Sequence, residues 1–83
     1  TMQNDGYIVG TAKAEVGRAA AIILVDSNEL IDSNKLFETP NYSLANFNVS
    51  LFIQKGKTIY TRDDYGTYNL TVYEYKINLI LFI

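Results

Sequence analysis

The sequence predicts an all-β domain, a small antiparallel β-sandwich or jelly roll. Three observations carry that prediction. Residues 47–54, "FNVSLFIQ", alternate, with Phe47, Val49, Leu51 and Ile53 on one side and Asn48, Ser50, Phe52 and Gln54 on the other. Period two over this length marks a half-buried strand. Glycines at 6, 10, 17, 56 and 66 fall close to where turns between short strands belong. No segment holds a convincing helical period.

The elements follow in order. "NDG" at 4–6 is a turn signal. Behind it, Tyr7, Val9 and Thr11 alternate with Ile8, Gly10 and Ala12, so a strand is expected over 6–14. In "RAAAIILVDS" (18–27) the alanines favour helix. The branched "IILV" favours a buried strand, and Gly17 and "DSN" bound it at strand length. It is read as a strand paired with 7–14 through a turn near 15–17. Residues 28–46 are polar and irregular. Leu30 and Ile31 allow a brief strand, both "DSN" copies (26–28 and 32–34) are turns, and Pro40-Asn41 marks a loop. After 47–54, "KGK" (55–57) turns a hairpin into "TIYT" (58–61). "RDDYG" (62–66) turns again, with Gly66 available for positive φ. "TYNLTVYEY" (67–75) and "KINLILFI" (76–83) complete six or seven strands. Tyr68, Leu70 and Val72 share one face; Tyr73, Tyr75, Ile77, Leu79 and Leu81 continue an alternating one.

Composition bounds the function. The 83 residues make one domain, 1–83. A chain this small buries only about 60–65% of its unfolded surface and is marginal alone. It has no cysteine to staple it, yet 48% of it is hydrophobic. Part of the apolar surface is therefore expected between subunits. Without histidine or cysteine, the usual general base, thiolate nucleophile and metal ligands are missing. The carboxylates Asp26, Glu29, Asp32 and Glu38 sit in loops with nothing to single out a catalytic pair. The reading is non-enzymatic, without cofactor or metal. Net charge is −2 and the seven cations are scattered, which argues against nucleic acid. The longest apolar run, 19–25, falls short of the ~20 residues of a membrane span. The opening "TMQNDG" has no basic, apolar leader, so the chain reads as a mature protein or excised domain.

"KGK" offers Lys55 and Lys57 as anion contacts, but a hairpin tip kept soluble by lysines is the simpler reading. Asp63 and Asp64 lack the spacing of a calcium loop. Asp64, Gly66 and Tyr68 resemble the tyrosine corner of immunoglobulin-like sandwiches, with Leu70 where cysteine would stand. Among seven tyrosines, Tyr42 and Tyr65 fall in loops and are candidate contacts, since tyrosine gives large contact area at low entropy cost. The strand tyrosines are read as core or interface.

The order "NDGYIVG" (4–10), "IILVDSNELI" (22–31), "NVSLFIQKGKTIYT" (48–61), "LTVYEYK" (70–76) resembles the C-terminal receptor-binding heads of trimeric phage tail fibres. Asp5-Gly6-Tyr7 matches the opening strand of such heads. Val49, Leu51, Ile53, Lys55, Gly56 and Ile59 match the hairpin, with Lys57 where aspartate is usual. Val72, Tyr73, Tyr75 and Lys76 match the close. No proline precedes the opening, and residues 77–83 extend past the usual end. The resemblance implies a homotrimeric head on a virion fibre or extracellular surface that contacts a bacterial glycan or protein. On it, Tyr42, Asp63, Asp64 and Tyr65 are candidate receptor contacts. Tyr73, Tyr75, Ile77, Leu79 and Leu81 are candidate subunit interface, and the apolar faces of 47–53 and 73–83 are expected to be covered by neighbouring copies. "TRDDYGTYNLTV" (61–72) also resembles carboxypeptidase-regulatory-like sandwiches, which implies instead a monomeric module of a larger surface protein.

Overall fold

A computed structural model of the chain describes residues 1–17, 19–62 and 65–75. It is all-β, built from two small antiparallel sheets. Strands β1 (Gly6–Ala14), β2 (Ile22–Val25), β3 (Lys35–Glu38), β4 (Phe47–Ile53), β5 (Ile59–Thr61) and β6 (Gly66–Glu74) divide between them. Sheet A has the order β4-β1-β6 and sheet B the order β3-β2-β5. Four of the five connections therefore cross from one sheet to the other, and only β2 and β3 are both consecutive and paired. No helix among the described residues is long and apolar enough to cross a membrane.

The alternation in 47–53 forms β4 as expected. Val49 and Ile53 are buried, Phe47 and Leu51 half-buried, and the polar phase is exposed. They pack with Ile8 and Ala12 of β1, Ile23 of β2, Ala21 just before it, and Met2. This apolar face is covered by the chain's own second sheet, so the expectation that it needs a neighbouring copy is corrected. A fully buried isoleucine such as Ile8 contributes about 1.5–3 kcal/mol.

Two pairings differ from the sequence reading. β2 does not pair with β1; it is the central strand of sheet B. The reason is burial on both faces. Ile23 joins the main core, while Ile22 and Leu24 join Ala20 in a second cluster. A strand that is apolar on both sides takes the middle of a sheet. Likewise "KGK" does not close a hairpin, because β4 and β5 lie in different sheets. The amino-terminal segment stands at this crossing: Gly56 N–H donates to the Met2 carbonyl, and Met2 N–H donates to the Lys57 carbonyl. Leu30 and Ile31 form no strand. The Ile31 carbonyl accepts from Asn34 N–H and closes a 3₁₀ turn over Asp32–Asn34.

Gly56 does adopt positive φ (+86°), as a turn requires. Gly66 does not, and it is needed for a different reason. A Cβ there would lie 2.6 Å from the Cβ of Ala21, where the two sheets approach closely. Residues 76–83, read as the last strand and including interface candidates Ile77, Leu79 and Leu81, lie outside the described residues, as do Asp63 and Asp64.

Candidate functional site

Strand register gathers three connections at one end of the sandwich. Ala14 pairs with Gly66, Ala12 with Phe47, and Ile22 with Glu38. The chain leaving Ala14, Glu38 and Thr61 therefore meets there, tied by Glu15 N–H to the Tyr65 carbonyl and Tyr42 N–H to the Ala19 carbonyl. Thr1 and the 54–58 turn occupy the opposite end, where Gly6 pairs with Ile53. The candidates Tyr42 and Tyr65 thus share the loop end, but in different states. Tyr42 is 76% exposed. Tyr65 is half-buried, with the Arg62 guanidinium 4.8 Å from its ring centre. One face of that ring is already covered by its own chain.

Tyr68 joins the two sheets. Its hydroxyl accepts from Ile22 N–H at 2.8 Å and lies 2.9 Å from the Arg62 carbonyl, to which it can donate. β5 leaves the ladder at this point, so the tyrosine hydroxyl takes over as partner of the β2 backbone. The bond to a carbonyl six residues upstream is that of a tyrosine corner.

The outer face of sheet A is the second candidate surface. On it Tyr7 stands between Phe52 of β4 and Tyr73 of β6. Cross-strand neighbours of this kind are about 4.5–5.5 Å apart at Cβ, so the three rings form a row. Phe52 and Tyr73 are 56% and 57% exposed. Tyr75 extends the row, its ring edge-on to Tyr7 at 5.2 Å. Hydrogen bonding with Tyr7 holds the Tyr75 phenol above its ordinary value. The next rows are Ser50–Val9–Thr71 and Asn48–Thr11–Asn69. Lys13 at the far end, in the last pair Lys13–Thr67, and Asp5 beside Tyr75 are the charges along these rows. Tyr73 and Tyr75 were expected on such a surface. Tyr7 and Phe52 were not singled out, although Phe52 was legible as an aromatic on the polar phase of β4.

No family model, curated protein or solved structure matches the chain. Motif order therefore remains the sole basis of the family resemblances.

The "KGK" turn is occupied by contacts within the fold. Lys57 Nζ lies 3.1 Å from Asp26 Oδ2, and Lys55 N–H donates to Asp5 Oδ1 at 2.7 Å. Thr58 N–H donates to Asp26 Oδ1, and this bond, followed by that of Lys57, holds the Asp26 carboxyl below its ordinary value. Lys35 is held above its ordinary value by Glu38 and then Asp32. Among the described residues no three acidic side chains gather as a metal site would require. At the lateral opening of the sandwich, a cleft of about 760 Å³ is lined by Met2, Ile59, Val72, Glu74 and Tyr75 among others. The Glu74 carboxylate there is engaged, accepting from Gln3 N–H and Asn4 N–H. Among the described residues, the loop end and the aromatic face are two exposed candidate surfaces.

Proposed function

We propose that the chain is a non-enzymatic attachment domain, the receptor-binding head of a homotrimeric phage tail fibre or similar adhesin. It contacts a bacterial-surface glycan or protein through its loop end. The observation that carries this reading is the exposed aromatic row Phe52–Tyr7–Tyr73 with Tyr75. Contiguous exposed apolar surface of this kind marks an interaction site. The near absence of charge across the face suits contact between identical copies, where like charges would meet. Copies arranged about an axis along this face present their 39–46 loops together at one end.

Sedimentation equilibrium at micromolar concentration tests the assembly. The expected mass is three times 9.4 kDa, about 28 kDa. The outward Tyr73→Lys change is expected to give a folded monomer. A wild-type monomer of 9.4 kDa would sink the trimeric reading. The second reading, a monomeric carboxypeptidase-regulatory-like or immunoglobulin-like module, draws support from the Tyr68–Arg62 bond. A folded monomer that adheres to no bacterial cell favours it.

A further inference from the structure

The loop end holds a residue whose conformation the fold does not repay. Among the described residues, two that are not glycine have positive φ, Asp26 (+64°) and Tyr42 (+60°). Aspartate tolerates this region, tyrosine does not. Asp26 is also compensated locally. Its carboxylate takes Thr58 N–H and Lys57, and its own N–H donates to the Thr58 carbonyl. Tyr42 has its backbone N–H on the Ala19 carbonyl, but its side chain makes no hydrogen bond among the described residues and is 76% exposed. In the turn closed by Ser43 N–H on the Pro40 carbonyl, the residue suited to positive φ, Asn41, stands one place too early. A strained backbone that projects a ring into solvent points to a contact outside the chain.

The surroundings define what that contact is. Residues 39–48, "TPNYSLANFN", carry no charge and three asparagines. Two residues on from Tyr42, Leu44 borders a hollow of about 400 Å³ with Val16, Lys13, Glu15 and Thr67. Val16 is 84% exposed. Its one ammonium, Lys13, and one carboxylate, Glu15, leave the hollow without net charge, and a neutral hydroxyl-rich ligand uses both, with Thr67, as hydrogen-bond partners. We infer that Tyr42 and this hollow form a binding site for a neutral oligosaccharide. One sugar lies with its apolar face on the Tyr42 ring, and its neighbour enters the hollow between Val16 and Leu44. The inference rests on the attachment reading and specifies its ligand.

The experiment measures binding of the 1–83 protein to immobilised oligosaccharides, one set of neutral hexoses and N-acetylhexosamines and one set of uronic acids. Bacterial cells, untreated and protease-treated, are assayed in parallel. Wild type is expected to bind at least one neutral member. Tyr42→Asn is expected to weaken that binding by about 10-fold or more, while Tyr42→Phe, which keeps the ring, stays within about 3-fold. Because Tyr42→Asn also relieves the strain, its Tm is expected to rise by about 2–5 °C with no ligand present. Binding confined to uronic acids, no binding to any neutral member, undiminished binding by Tyr42→Asn, or a fall in its Tm would each overturn the inference. Adherence that protease treatment abolishes overturns the sugar site and leaves the attachment reading standing. Absence of adherence to any cell overturns both.

Discussion

Removing one oxygen, in Tyr68→Phe, should cost this domain a large part of its stability. The hydroxyl accepts from Ile22 N–H at 2.8 Å and lies within donating distance of the Arg62 carbonyl. Ile22 is only 5% exposed, so water does not readily replace the lost acceptor. A buried donor left unsatisfied costs about 1–3 kcal/mol, beyond the roughly 0.5–1.5 kcal/mol of an ordinary bond. The ring is retained, so no cavity forms and the packing cost seen in truncations is absent. The expected loss is about 2–3 kcal/mol, from a total that for small domains lies near the lower end of roughly 5–15 kcal/mol. At about 4–8 °C per kcal/mol, Tm should fall by about 8–24 °C. Thermal unfolding followed by circular dichroism reads this directly. Tyr60→Phe is the control, since the Tyr60 side chain is partly exposed and its hydroxyl makes no hydrogen bond among the described residues. It should leave Tm nearly unchanged. If Tyr68→Phe melts within about 2 °C of wild type, the hydroxyl is not the inter-sheet clamp described here.

Two further perturbations address the ladder and the electrostatics. Gly10 has φ +149°, and a Cβ there would lie 1.9 Å from the Asn69 carbonyl oxygen on β6. Gly10→Ala should therefore fail to fold, read as loss of near-ultraviolet circular dichroism. Gly17→Ala, with open space around its Cβ but φ +81°, should cost only about 1 kcal/mol. A folded Gly10→Ala of wild-type Tm would contradict the β1–β6 register. The Asp26 carboxyl is held below its ordinary value of 3.8 by Thr58 and Lys57. A depressed carboxylate stabilises the fold above its ordinary value, and that contribution disappears as pH falls through the folded-state value. Urea midpoints should thus fall more on acidification below 3.8 in wild type than in Asp26→Asn. Parallel curves for the two proteins would show that the Asp26 contacts contribute nothing.

What the sequence disclosed depends on how many sides of each element face the core. β4 was legible because Phe47, Val49, Leu51 and Ile53 are set against a polar phase, and that contrast identifies the inner side. β2 was legible as a strand but not by partner. Ile22, Ile23 and Leu24 are all buried, and a strand without a polar phase does not say which sheet it joins. The "KGK" turn was recognised, but a glycine turn looks the same whether the next strand pairs or crosses over. Local chemistry fixes the bend; the placement of β5 is set by pairing with Ile23, Leu24 and Val25, far away in sequence. At the candidate sites, exposure of Tyr42 followed from its polar neighbours, while its left-handed backbone did not, because Asn41 is the residue that turn preferences select. The sequence reads Tyr7 only as one of several strand tyrosines, core or interface, and sets Phe52 on the polar phase of β4. Their alignment in one row is a property of register, which no single strand encodes.

The two candidate surfaces impose different demands and meet at Lys13–Thr67, the last pair of the outer face and part of the lining of the hollow. The outer face of sheet A stands on paired strands whose backbone is fixed by a continuous ladder, from Gly6–Ile53 and Gly6–Glu74 at one end to Ala14–Gly66 at the other. Rigid, nearly uncharged and aromatic, it suits a contact that stays closed. The 39–46 loop has few such ties: Tyr42 N–H to Ala19, Ser43 N–H to Pro40, and Thr39 with Ala21 at its base. Beyond the buried Thr39 its side chains are mostly exposed, so they change at little cost to the core. In the trimer proposed above, the first surface brings three copies of the second to one end. A weak single site then becomes effective binding through multiplicity, without a deep pocket in any one subunit. That also accounts for a strained, solvent-projecting tyrosine in an otherwise small and marginal domain. The ring contributes little to its own fold, and its worth lies in three rings meeting one surface together.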